Sequence, residues 1–166
     1  MAWVGDAVYV FLVRLVVGAN VRGCERRRRS WHAMLGSDMA RTDTSESGAV
    51  EAVVGCKMTP IPSVHGKISA GALSAYLTDM GSPHHSQPGL VALTQSTEVA
   101  TVYTPEEIKA IVDVAHANGL FVHMDGARIA NAAVALGCDV RSFTKDLGVD
   151  MMSFGGTKNG MMMAES

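Results

Sequence analysis

Between residues 90 and 154 short apolar runs alternate with helical stripes, and no other feature constrains the fold of this chain as strongly. Leu90-Val-Ala-Leu-Thr94 has the length of a buried strand rather than a helix. Thr104-Pro105-Glu106-Glu107 predicts a helix start: a capping hydroxyl, a proline suited to the first turn, and two acids that complement the helix dipole. Ile108, Ile111, Val112 and Ala115 recur at i, i+3, i+4 and i+7, so one face of that helix is apolar, and Gly119 predicts its C-terminal cap. Leu120 to Asp125 reads as a second strand ending on an acid. Ala127 to Leu136 reads as a small-residue helix closed by Gly137. Val149 to Phe154 reads as a third strand running into Gly155-Gly-Thr-Lys-Asn-Gly160. Helices of this length between strands demand crossover connections, so the expected fold is a three-layer α/β arrangement with a mostly parallel sheet. Composition agrees: 17 glycines, 11 methionines and 5% aromatics describe a core of small and aliphatic side chains, not a β-sandwich. Ligands of such sheets sit beyond the carboxyl ends of the strands. Asp125 and the Gly155–Gly160 loop both fall there, so they are expected to face one site.

The remaining segments mostly exclude. A net charge of −2 supplies no global basic field for nucleic acid. Arg26-Arg27-Arg28-Arg29 lacks interleaved aromatics and reads as a solvated loop. The apolar stretch from Ala7 to Ala19 is too short to span a bilayer and is interrupted by Arg14. It follows Asp6 rather than a basic region, so it is expected to be a buried strand or a core helix start, not a secretory signal. Cys24, Cys56 and Cys138 are scattered and form no Cys-x-x-Cys pair, which suits reduced thiols in a cytoplasmic protein. In the middle of the chain Thr59–Pro62 is expected to be extended, Val64–Lys67 a turn, Ser69 the cap of a helix through Leu77, and Ser82–Pro88 a loop.

Four positions could carry chemistry. Lys158 follows two glycines at the end of an apolar strand, where a lysine can reach into a cleft; Schiff-base formation, phosphate binding and a solvated loop lysine all remain open. Gly-Gly-Thr-Lys-Asn-Gly lacks the Walker spacing. Asp125 could cap a helix, pair with Arg128, or hold a protonated ring nitrogen of a cofactor. Arg128 offers a forked donor to a substrate carboxylate. His123 and Asp125 lie two apart on one strand and share a face. That pair is the whole basis for a remote alternative, a metal-dependent hydrolase, and no metal site is expected.

Taken together, Thr94-Gln-Ser-Thr-Glu-Val-Ala-Thr-Val-Tyr103, Val122-His-Met-Asp-Gly-Ala-Arg128 and Ser153-Phe-Gly-Gly-Thr-Lys-Asn-Gly160 resemble the low-specificity L-threonine aldolases. These belong to the β-eliminating lyase group of fold-type I pyridoxal-phosphate enzymes. The resemblance implies pyridoxal 5'-phosphate as cofactor, with Lys158 as the Schiff-base lysine and Asp125 holding the pyridine nitrogen protonated. Arg128 would bind the substrate carboxylate, and Ser153, Thr157 and Gly18 would contact the cofactor, the first two at its phosphate. The implied reaction is retro-aldol cleavage of L-threonine or L-allo-threonine to glycine and acetaldehyde, in a cytoplasmic homo-oligomer without nucleic-acid or membrane partners. The Gln95–Glu98 stretch would lie near the cofactor ring.

The resemblance runs from about Gly48 to Ala164, so residues 1–47 are read as a divergent N-terminal part of the large domain and 48–166 as an incomplete cofactor-binding core. Val16 and Val17 stand where the family has a Gly-Thr phosphate turn, and Arg41 where it has a ring-stacking histidine. The chain ends eight residues after Lys158, whereas the family continues into a C-terminal small domain. A catalytically inactive or incomplete member of the family is therefore the alternative reading.

Overall fold

Five strands form one sheet in a computed structural model that describes residues 32–45 and 48–162. They are β1 (His32–Ser37), β2 (Lys57–Ile61), β3 (Gln87–Thr94), β4 (Phe121–Gly126) and β5 (Met151–Phe154). All pairings are parallel, in the spatial order β2-β1-β3-β4-β5. The helices are α1 (Arg41–Thr44), α2 (Ala49–Val54), α3 (Ala70–Ala75), α4 (Pro105–Ala117) and α5 (Ile129–Leu136), with short 3-10 turns flanking β5.

The three expected strands and two expected helices are present, with ends shifted by a few residues. The second expected helix starts at Ile129 rather than Ala127, because Ala127 N–H is taken by the Asp125 carboxylate at 2.8 Å. Asn118 caps α4, and Gly119 follows it in the left-handed region at φ 72°. Ser69 does cap a helix, accepting from Ala72 N–H at 3.0 Å, but that helix ends at Ala75. β1 was not visible in the sequence and lies inside the sheet, between β2 and β3. Register explains why it is buried: Leu35 stands between Thr59 and Val91, and Met34 between Met58 and Leu90.

Alternation along the strands divides the core in two. Leu35, Ile61, Val91, Leu93, Val122 and Met124 pack against Leu73 of α3, the apolar stripe of α4, and Ile129 and Ala132 of α5. Met34, Met58, Leu90 and Ala92 pack on the other face with Val50 of α2. Helices thus cover both faces, as a parallel sheet requires. Among the described residues no helix is long and apolar enough to cross a membrane.

Candidate active site

The order β2-β1-β3 means that the chain leaves β1 in one direction and β3 in the other. Such a switch point opens a crevice at the carboxyl ends of the two strands, where ligands of doubly wound sheets bind. The residues around it come from four loops.

The loop after β3 is built as a braced arch. Gln95 is fully buried, and its side chain closes on one residue: Oε1 accepts from Tyr103 N–H and Nε2 donates to Tyr103 C=O, both at 3.0 Å. Gln95 N–H also donates to Asp125 C=O at 2.9 Å, which ties the arch to β4. The Tyr103 hydroxyl accepts from Ile68 N–H at 2.8 Å, and Thr101 Oγ1 donates to His65 C=O at 2.7 Å. Burial pushes the Tyr103 phenol well above its ordinary pKa, so it stays a neutral strut. Glu98 sits on this arch. Its Oε1 accepts from Arg41 N–H at 3.4 Å, which joins the β3 loop to the start of α1 after β1. Its Oε2 is buried and accepts no hydrogen bond among the described residues. Burial raises the Glu98 pKa, and the nearby Asp125 charge adds to the rise. Its own and Arg41's backbone N–H groups and the Arg128 guanidinium pull against it without cancelling it.

Asp125 is the penultimate residue of β4, almost wholly buried, opposite Thr94 on one side and Ser153 on the other. His123, also buried, shares its face two residues earlier. Arg128 is half-buried at the N-terminus of α5 and close enough to act on the Glu98 charge.

Lys158 lies exposed in the 3-10 turn Thr157–Asn159 after β5, and Thr157 is exposed beside it. Two glycines press this turn against the end of β4. A Cβ on Gly155 would stand 2.5 Å from Ala127 Cα, and one on Gly126 would stand 2.6 Å from Ser153 C=O oxygen. The Asn159 amide donates to Gly155 C=O and, at 3.4 Å, to Ala127 C=O. The lysine turn is therefore locked to the segment that carries Asp125 and Arg128.

The structure thus brings Asp125, Arg128, Ser153, Thr157 and Lys158 to the carboxyl ends of β4 and β5. Gly18 lies outside the described residues, as do Val16, Val17, Cys24, the arginine run and the apolar stretch from Ala7 to Ala19. Arg41 opens α1, exposed, beside Glu98. Among the described residues no group of three His, Cys, Asp or Glu side chains could hold a metal ion. Glu98 is the residue whose character only the fold reveals. Its sequence signal was an acid four residues past an apolar strand.

The family model described as "Beta-eliminating lyase" matches residues 11–166. A low-specificity L-threonine aldolase from Pseudomonas sp. is 39% identical over 158 residues, 95% of this chain and 46% of that relative. The Leishmania major threonine aldolase structure superposes with a TM-score of 0.86 at 30% identity, covering 93% of this chain and 45% of that one. Cystalysin from Treponema denticola, whose structure contains a pyridoxal 5'-phosphate cofactor, superposes with a TM-score of 0.68 at 12% identity over 93% of this chain and 40% of its own, a likeness of fold alone. The chain spans about half the length of the relatives it matches. With its parallel sheet, its acid-ended fourth strand and a family match over nearly its whole length, the chain belongs to the beta-eliminating lyase family.

Proposed function

We propose that this chain forms the cofactor-binding core of a pyridoxal-phosphate-dependent aldehyde-lyase that cleaves L-threonine or L-allo-threonine to glycine and acetaldehyde. The observation that carries the reading is the buried Asp125 carboxylate at the carboxyl end of β4, with the Lys158 turn locked beside it. The donor set fits the cofactor chemically. A buried carboxylate suits a protonated pyridine nitrogen, a primary amine suits an aldehyde, and a guanidinium suits a substrate carboxylate. When bound, the cofactor supplies an electron sink for negative charge developing at the substrate Cα.

The protein's part is binding, orientation and proton placement. Ala127 N–H donates to Asp125 Oδ1 at 2.8 Å and so orients the buried carboxyl group. An ionised carboxylate there holds the ring nitrogen protonated. Lys158 holds the cofactor through its amine, and Ser153, Thr157 and Gly18 are the proposed cofactor contacts, the first two at the phosphate. Arg128 binds the amino-acid carboxylate and so fixes which bond at Cα faces the ring. A cytoplasmic homo-oligomer acting on a β-hydroxy-α-amino acid completes the proposal.

Incubation with pyridoxal phosphate, borohydride reduction and peptide mapping test it. A single adduct on Lys158, absent from Lys158→Ala, is expected, together with glycine release from L-threonine. An adduct scattered over surface lysines overturns the cofactor assignment. An adduct on Lys158 without glycine release supports instead the inactive or incomplete family member.

A further inference from the structure

Glu98 is the one acid of the crevice whose role neither the motifs nor the proposed cofactor contacts assign. Three facts define it. It stands on an arch braced by Gln95, Tyr103 and Thr101, so its position is fixed by hydrogen bonds from these side chains to backbone. Its Oε1 is used structurally, by Arg41 N–H, while Oε2 is buried and has no hydrogen-bond partner among the described residues. It lies within electrostatic reach of both Arg128 and Asp125, the groups proposed to hold the substrate carboxylate and the cofactor. A buried carboxylate oxygen without a partner costs stability, and such costs persist where a ligand supplies the missing hydrogen bond.

We propose that Glu98 receives the β-hydroxyl of the substrate on Oε2 and takes its proton as the Cα–Cβ bond breaks, a catalytic role that rests on the threonine-aldolase reading above. The O–H bond of the substrate breaks and an O–H bond forms on Glu98. The electron pair left on oxygen becomes the second bond of the aldehyde carbonyl, and the Cα–Cβ pair stays with Cα. The proton on Glu98 then passes to solvent and Cα gains one from solvent, so the net reaction neither consumes nor releases acid. Burial suits the group to this work, because a carboxyl titrating closer to neutrality is a stronger base. The groups that face it are Asp125 from β4, Arg128 at the start of α5 and the Arg41 N–H of α1.

The test uses the full chain and Glu98→Gln, which keeps an acceptor for Arg41 N–H, with Glu98→Asp as a second variant. In the cofactor-free protein, carbon-13 carboxyl titration is expected to show one glutamate titrating above the ordinary range, absent from Glu98→Gln. In the cofactor-loaded protein, exchange of the glycine α-proton with deuterated water needs no β-hydroxyl, whereas threonine cleavage does. The ratio of cleavage to exchange is expected to fall about 100-fold or more in Glu98→Gln, and to recover in part in Glu98→Asp. An unchanged ratio, or no high-titrating carboxyl in the cofactor-free chain, overturns the role of Glu98 and leaves the cofactor reading standing. A wild-type chain that takes up no cofactor overturns that reading, and this proposal with it.

Discussion

At the residue scale, the site depends on side chains that are missing as much as on those present. Gly155 has no room for a Cβ, because Ala127 Cα and C=O oxygen would stand 2.5 and 2.8 Å away. Both obstacles are backbone, so no rotamer change relieves them. Gly155→Ala is expected to cost about 1–3 kcal/mol, read as a lower urea midpoint with an unchanged slope. It is also expected to weaken labelling of Lys158, since the turn that carries the lysine must move away from β4. An unchanged midpoint would show that the two backbones do not pack this closely. Part of this was legible in the sequence: Gly155-Gly156 marked a permissive loop. The near-contact itself depends on how β4 and β5 pair, with Gly126 opposite Phe154, and no local pattern encodes that.

At the element scale, α4 is the best-specified part of the chain. Thr104 and Glu107 form a reciprocal capping box, with Thr104 Oγ1 accepting from Glu107 N–H at 3.2 Å and Glu107 Oε2 accepting from Thr104 N–H at 2.8 Å. Glu107 also meets Lys67 Nζ at 2.7 Å, which fastens the helix to the turn before α3. Burial alone raises the Glu107 pKa, but Lys67 and the Thr104 N–H outweigh it and hold the carboxyl below its usual range. An acid depressed in the folded state adds stability above its ordinary pKa, and that contribution is lost as pH falls through the depressed value. Thr104→Ala is expected to cost about 1 kcal/mol near neutral pH, and Lys67→Met, which removes the ammonium that depresses Glu107, is expected to cost less in acid than at neutral pH, both measured by denaturant melts across pH. A pH-independent cost of Lys67→Met would separate Lys67 from the Glu107 charge.

At the scale of the whole molecule, the order β2-β1-β3-β4-β5 puts the described residues of the candidate site at one end of one sheet. Binding there draws on four loops at once, so a bound cofactor stabilises the native state as a unit. Pyridoxal phosphate at about 100 times its dissociation constant is expected to add about 2.7 kcal/mol, a rise of roughly 5–10 °C in melting temperature for a chain of this size. Asp125→Ala is expected to reduce the rise. A melting temperature indifferent to the cofactor would mean that the crevice does not bind it.

The amino-acid sequence by itself determined the elements whose spacing repeats at 3.6 residues or whose apolar runs are bounded by caps and glycines: β3, α4, β4, α5 and β5. It also placed Asp125 and Lys158 at strand ends, because a strand's carboxyl end is a local property. Tertiary structure alone decided β1, and it turned most of the extended stretch Thr59–Pro62 into part of β2. His32-Ala-Met-Leu-Gly-Ser37 has three apolar residues and no alternation, and becomes an interior strand only through pairing with β2 and β3. Pro60 is admitted to β2 because that strand lies at the edge, where its missing N–H leaves no neighbour unpaired. The state of Glu98 was likewise decided by the fold. Its burial and its place near Arg41, Asp125 and Arg128 come from loops distant in sequence, and desolvation and charge act through space rather than along the chain.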